Sequence, residues 1–162
     1  MIRDDILEKD EIDKHIGEWY RLSIGQTVDQ SDTFFRFVAV WVAFNAFYSS
    51  RMKKEYGDRK QVMAYARESD VINLHSKLLK EDQYYKNAVC VLKGKGVYNT
   101  SDKRRCSIDK IENLSQVAQC IYQVRCNLFH GGKAPTDLRD QSLVDASYII
   151  TSRIVEHALK IP

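Results

Sequence analysis

FFRFVAVWVAFNAFY, residues 34–48, is apolar at nearly every position. Ser31 or Asp32, just before it, can accept a backbone N–H, so the stretch predicts a long helix that runs to about Tyr56. A helix that is apolar on all sides is either central to the core or partly covered by another subunit. We therefore expect this helix to form the centre of the fold and to help form a homodimer. The stretch falls short of the ~18 residues that span a bilayer, so no membrane segment is expected.

Amphipathic patterns on the two sides of this stretch predict further helices. Residues 4–24 repeat apolar positions at steps of three and four and stop before Gly25. Residues 58–92 predict two or three shorter helices, with Asp58 and either Ser69 or Asp70 as caps. The core positions expected in this segment are Tyr65, Ile72, Leu74, Leu78, Leu79, Val89 and Leu92.

Two long helices complete the pattern. One begins at Ser107 and ends at Gly131-Gly132, and the other is capped by Thr136 or Asp137. The expected apolar stripe of the first is Ile111, Leu114, Val117, Ala118, Ile121, Val124 and Leu128, and that of the second is Leu143, Val144, Ser147, Tyr148, Thr151, Ile154, Val155 and Ala158. Residues 1–162 are therefore predicted to form a single all-α domain, an up-and-down bundle of about four main helices with a small helical insertion.

The composition agrees with this fold class. A chain of 162 residues fits one domain, and seven glycines with two prolines are too few for an all-β fold. The formal charge of +3 is too small to diagnose nucleic-acid binding. The N-terminus lacks the apolar core of a signal peptide, and the four cysteines lack metal-site spacing, so we expect a cytoplasmic protein with no metal or other cofactor. His15, His75 and His157 form no metal pattern and are expected at the surface or its boundary.

Residues 93–107 are the one clear loop of the prediction. The segment contains two glycines, and Tyr98 offers a surface on which a base can stack. A solvated basic loop is the favoured interpretation, and a loop that contacts phosphates is the alternative. Its cationic side chains are Lys93, Lys95, Lys103, Arg104 and Arg105.

The segment Arg125-Cys-Asn127-Leu-Phe-His130-Gly-Gly carries the chemistry. Arg125 and Asn127 border the apolar stripe from its two sides, and a five-residue step places Arg125 about 140° from His130 around an ideal helix. The two side chains therefore converge only through unwinding at the glycines or across a two-fold axis. Read structurally, Arg125 would pair with Asp140 or Glu156, and His130 would interact with the helix carbonyl ends.

This segment resembles the motif of the HEPN superfamily, in which an arginine is followed by four to six residues and a histidine at the end of a bundle helix. The aromatic helix that contains Trp41, Asn45 and Tyr48 is similar to the buried helix of that family. The resemblance implies a metal-independent endoribonuclease, a homodimer whose two motifs meet in a cleft, and products with 2′,3′-cyclic phosphate ends.

The same resemblance implies roles for individual residues. His130 would move the proton of the attacking 2′-hydroxyl or of the leaving 5′-oxygen, and Arg125 would hold the scissile phosphate. Asn127 would orient the histidine or the phosphate, while Lys133 and the 93–105 loop would attract RNA. Many relatives act as toxins or in defence, so an antitoxin or a nucleotidyltransferase is the expected kind of partner. Leu128 stands where the branch regulated by adenylylation has tyrosine, so this regulation is not expected.

Two alternatives to the enzyme stay open. The first is a catalytically inactive HEPN module that acts in RNA binding, in dimerisation or as a partner-regulated adaptor. The second is an unrelated helical bundle. In many catalytic relatives the residue directly after the arginine is Asn, Asp or His, and here it is Cys126.

Overall fold

The computed structural model describes residues 16, 17, 20, 33–99, 103–129 and 138–160. These residues form an all-α bundle of six helices with one pair of very short strands, which confirms the predicted fold class. The elements are α1 (Thr33–Arg51), α2 (Asp58–Tyr65), α3 (Ser69–Glu81), α4 (Gln83–Lys95), β1 (Val97–Tyr98), β2 (Arg105–Cys106), α5 (Leu114–Phe129) and α6 (Leu138–Lys160).

Several predicted features lie outside the described residues. Of the helix predicted over residues 4–24, Ile16, Gly17 and Tyr20 are described and helical, and Ile16 is fully buried. Burial, followed by the nearby carboxylate of Glu156, raises the pKa of Tyr20 to about 12. The features outside the described part of the chain are His15, Gly25, Ser31, Asp32, His130, Gly131, Gly132, Lys133, Thr136 and Asp137.

Helix α1 supplies the aromatic centre of the core. The Trp41 ring meets the Phe44 ring edge-on with centroids 5.4 Å apart, and Phe44 meets Tyr48 in the same way at 5.0 Å. Phe35 remains partly exposed, so the helix is not buried on every side. The helix ends at Arg51, five residues before the predicted end at Tyr56, and a short turn then leads to Gly57 at a φ of +97°.

Helix α6 packs against both α1 and α4 and closes the core. Leu143, Val144, Ile150 and Val155 are fully buried along it. The predicted stripe of this helix is confirmed except at Ala158, which is half-buried. Among the described residues, no helix combines the length and apolar character that crossing a bilayer requires.

The helix caps of the middle segment differ from the prediction. Asp58 and Ser69 are the first residues of α2 and α3, but the capping positions belong to Gly57 and Glu68, and neither cap makes a side-chain hydrogen bond. The carboxylate of Asp58 instead turns inward to other partners. Asp82 caps α4 by accepting a hydrogen bond from the Tyr85 N–H at 3.0 Å.

Two side chains of α3 are placed differently from the expectation. Ile72 is 40% exposed. The buried face of the helix is formed instead by Val71, His75 and Leu78, which follow each other at steps of four and three. His75, expected near the surface, is fully buried. Its Nδ1 lies 2.7 Å from the Tyr85 hydroxyl and its Nε2 lies 2.8 Å from the Ile111 carbonyl oxygen.

Residues 93–107 are not a simple loop. Helix α4 continues to Lys95, and Gly96 ends it at a φ of +68° with the Arg105 side chain packed against it. Val97 then pairs with Cys106, and Tyr98 with Arg105, in a two-stranded antiparallel hairpin.

Helix α5 begins at Leu114 and not at Ser107. Asn113 accepts a hydrogen bond from the Gln116 N–H at 3.2 Å, so this residue serves as its cap. The predicted stripe is fully buried at Leu114, Val117, Ile121 and Val124 and half-buried at Ile111, Ala118 and Leu128.

Candidate functional site

Helix α5 presents a second stripe beside its buried one. Tyr122, Arg125 and Phe129 follow each other at steps of three and four, so their side chains lie on one face. The guanidinium carbon of Arg125 is 5.8 Å from the centre of the Tyr122 ring and 4.8 Å from that of Phe129. Aromatic rings attract a guanidinium through its charge and its flat shape, and this holds Arg125 near the end of the helix.

This stripe forms one wall of an open groove between α1, α2 and α5. The volume of the groove is about 470 Å³, which lies within the ~300–1,000 Å³ that small-molecule sites occupy. Aromatic, amide, hydroxyl and charged groups are all present in its walls. The lining residues are Trp41, Val42, Asn45, Ser49, Asp58, Gln61, Arg125 and Phe129.

Asp58 is the carboxylate partner of Arg125, where the sequence suggested Asp140 or Glu156. Its Oδ2 is 3.9 Å from Arg125 Nη2, which is a charge contact but too long for a hydrogen bond. Asp58 Oδ2 and Arg125 Nε are both buried without a hydrogen-bond partner. Arg125 Nη1 also contacts the sulfur of Cys126 at 3.9 Å, a weak acceptor. Arg125 is therefore electrically balanced but makes no hydrogen bond to an oxygen acceptor among the described residues.

The other oxygen of Asp58 belongs to a partly buried polar network. Oδ1 accepts a hydrogen bond from Asn45 Nδ2 at 2.7 Å and another from the Tyr48 hydroxyl. Burial, and then the bond to Asp58, raises the pKa of Tyr48. Sequence reasoning missed Asp58 as part of this site. The sequence did contain a signal. Asn45 and the Tyr48 hydroxyl are two polar groups three residues apart on an apolar helix, and such groups need a hydrogen-bond partner when they are buried.

Asn127 does not line the groove. The residue is buried, and its Nδ2 donates to the Tyr98 carbonyl oxygen at 2.6 Å while its Oδ1 accepts from Gln123 Nε2 at 2.9 Å. Two residues correspond to about 200° around a helix, so Arg125 and Asn127 leave α5 in nearly opposite directions. The structure therefore uses the Asn127 amide to hold the hairpin and does not bring it to Arg125.

The basic residues predicted to contact RNA lie on the hairpin side of α5. Lys93, Lys95, Lys103, Arg104 and Arg105 are all exposed. Lys93 Nζ donates to the Asp109 carbonyl oxygen at 3.0 Å, and the Arg105 guanidinium carbon is 5.9 Å from the centre of the Tyr98 ring. None of the five lines the groove.

Two further predicted residues, His130 and Lys133, lie outside the described part of the chain. Phe129, the residue directly before His130, ends α5 and is 49% exposed beside Arg125. Within the described ranges, no group of three or more His, Cys, Asp or Glu side chains is arranged to hold a metal ion.

In comparisons with known proteins, the chain matches no family model, no curated protein and no solved structure. The resemblance to the HEPN superfamily therefore rests on the motif residues and on the order of the helices.

Proposed function

We propose that the protein is a metal-independent endoribonuclease of the HEPN type that acts in the cytoplasm as a toxin or in defence. The observation that carries the proposal is the set of groups that surround the Arg125 guanidinium. This guanidinium lies at the end of α5 in an open groove, held by two aromatic rings and by a carboxylate too distant to occupy its donors. A phosphodiester supplies the acceptors that such a guanidinium lacks.

The chemistry follows from the two side chains of the motif. His130 takes the proton of a ribose 2′-hydroxyl, and the 2′-oxygen forms a bond to the neighbouring phosphorus. The bond from phosphorus to the 5′-oxygen breaks, and the 5′-oxygen receives a proton from the imidazolium of His130. Arg125 offsets the charge that grows on the phosphoryl oxygens. The products carry a 2′,3′-cyclic phosphate and a 5′-hydroxyl. An imidazole with a pKa near ~6.5 is suited to both proton transfers at neutral pH.

Other parts of the proposal concern assembly and partners. In a homodimer, Arg125 of one protomer meets His130 of its partner. The cations of the hairpin and Lys133 attract the RNA backbone, and an antitoxin or a nucleotidyltransferase restrains the activity.

A second candidate function is a catalytically inactive module of the same type that binds RNA or a protein partner. Two contacts favour it. Asp58 stands beside the arginine that would bind phosphate, and the Asn127 amide is already committed to Tyr98 and Gln123.

Cleavage of labelled single-stranded RNA separates the two candidates. We expect the protein to cut RNA in the presence of EDTA and to leave 2′,3′-cyclic phosphate ends. We expect His130→Ala and Arg125→Ala to lower the rate by at least about 100-fold. His157→Ala and Arg67→Ala serve as matched controls from α6 and from the α2–α3 connection, and they should cleave at the parent rate. A parent that does not cut RNA, or motif variants that cut it equally well, would contradict the enzyme.

A further inference from the structure

We call residues 51–60 the α1–α2 turn: they comprise the last residue of α1, the connecting residues and the first three residues of α2. Residues 51–60, RMKKEYGDRK, contain five cationic and two acidic side chains, a net charge of +3. The whole chain also has a formal charge of +3, so the remaining residues sum to zero. Asp58 points inward to Arg125. The exposed cations of the turn are Arg51, Lys53, Lys54, Arg59 and Lys60.

This turn is attached to the groove. Ser49 lies just before it, while Asp58 and Gln61 at its far end line the groove wall. Gln61 Nε2 lies 3.3 Å from the Glu55 carbonyl oxygen and 3.5 Å from that of Met52, so a groove residue ties down the turn's backbone. The Arg51 guanidinium carbon lies 3.5 Å from the centre of the Phe47 ring. Because Ser49, Asp58 and Gln61 line the groove at the two ends of the turn, the turn lies at one end of the groove.

Exposed aromatic rings accompany these charges. Tyr56, within the turn, is 93% exposed, and Phe129 is 49% exposed on the opposite wall of the groove. A cationic track with aromatic rings along it is how proteins hold single-stranded nucleic acid, because cations contact phosphates and rings stack on bases. Double-stranded RNA keeps its bases stacked internally and gains nothing from such rings.

We infer that single-stranded RNA reaches the groove across the α1–α2 turn, with its phosphates on the cations of residues 51–60 and its bases on Tyr56 and Phe129. The choice of RNA rests on the proposed function, whereas the position of the track rests on the turn itself. The hairpin cations attract the RNA backbone from the other side of α5, whereas the α1–α2 turn adjoins residues that line the groove itself.

Binding of a fluorescein-labelled 2′-O-methyl RNA of twelve nucleotides tests the inference, because this probe lacks the attacking hydroxyl and is not cut. The variant Lys53→Gln/Lys54→Gln removes two exposed cations of the turn. We expect its affinity to fall about tenfold and its slope of log affinity against log salt to become shallower by about 1.4, two phosphate contacts at ~0.7 each. The matched control is Lys80→Gln/Lys86→Gln, with the same charge change at exposed positions of α3 and α4, and its slope should equal the parent's.

A second pair of variants tests the stacking. Tyr56→Leu keeps an apolar side chain but removes the ring, and we expect affinity to fall at least about fivefold. Tyr84, 73% exposed at the start of α4, gives the control variant Tyr84→Leu, which should bind like the parent.

Three results would overturn the inference: no binding of the probe by the parent, equal losses in both lysine pairs, or a loss in the control pair alone. The outcome is independent of the cleavage assay. Binding through the turn without any cleavage keeps the RNA track and rejects the ribonuclease. Cleavage with unaltered binding in the turn variants keeps the ribonuclease and rejects the track.

Discussion

Arg125 shows how much of the environment of a single side chain can be predicted from sequence. Its position at the edge of the α5 stripe follows from its four-residue distance to Ile121, and the structure leaves its side chain 28% exposed there. Its ion-pair partner, Asp58, could not be predicted in the same way. Helical periodicity reports neighbours on one helix, whereas Asp58 comes from a helix 67 residues earlier (125 minus 58). A carboxylate at the start of a helix is typical of a cap. For this reason the sequence did not indicate that the Asp58 side chain points inward to Arg125.

Asn127 gives a prediction that separates a structural from a catalytic role. Replacing it with alanine leaves the Tyr98 carbonyl oxygen and the Gln123 amide without their bonds inside the protein. We expect Asn127→Ala to lower the free energy of unfolding by about 1–3 kcal/mol, measured by urea denaturation. RNA cleavage at a temperature where both proteins are folded should remain within a few-fold of the parent. Unchanged stability with a large loss of cleavage would instead restore the catalytic role.

The pairing of α3 with α4 depends on a neutral histidine. The Ile111 carbonyl oxygen only accepts hydrogen bonds, so His75 Nε2 carries the proton and Nδ1 accepts from the Tyr85 hydroxyl. Burial lowers the pKa of His75, although the bond to the Ile111 carbonyl acts in the opposite direction. Below an unfolded-state pKa of ~6.5, the unfolded chain therefore takes up a proton that the folded protein resists.

We therefore expect His75 to make folding less favourable as pH falls from about 7.5 to about 5. His75→Gln keeps a donor and an acceptor but does not titrate. The stability of the parent relative to this variant should be greatest near neutral pH and should shrink on acidification, as measured by urea unfolding at the two pH values. A constant difference between the two proteins would contradict the lowered pKa, because it would mean that His75 binds its proton equally well in the folded and unfolded states.

The end of α4 and the hairpin that follows it show which local signals led to a wrong prediction. Gly94 suggested a loop, but α4 continues through it because Val89 and Leu92 are buried on the same helix and Gly96 provides the stop. The hairpin has two residues in each strand, too few for an alternating pattern to be visible. The burial of His75 could not be predicted from local pattern either, because one of its hydrogen-bond partners is 36 residues away.

The bundle as a whole was predictable because its longest helices carry the clearest apolar patterns. The all-round apolar pattern predicted α1 to be central, and the stripe of α6 was predicted to be buried. The structure packs these two helices against each other. The composite site of a homodimer remains a prediction, because periodicity within one chain does not define which surface meets a second copy.

Mixing two inactive proteins tests that assembly. Arg125→Ala retains His130, and His130→Ala retains Arg125, so a mixed dimer contains one complete pair if each site uses both protomers. With random exchange, half of the dimers are mixed and one of their two sites is complete, so activity should recover to about a quarter of the parent's. Each variant alone provides the baseline. No recovery after verified subunit exchange would mean that both residues act within one chain, or that the site is not catalytic.

The dependence of the core on α6 has a consequence during synthesis. Helix α1 leaves the ribosome well before α6, a helix that packs against it and ends at Lys160. At ~5–20 residues per second, the intervening chain takes roughly 5 to 20 s to appear. For that interval Trp41 and Phe44 lack the part of their native cover that Thr151 and Ile154 of α6 supply. The emerging chain is therefore a substrate for holding chaperones and prone to premature association with neighbouring chains on the same messenger.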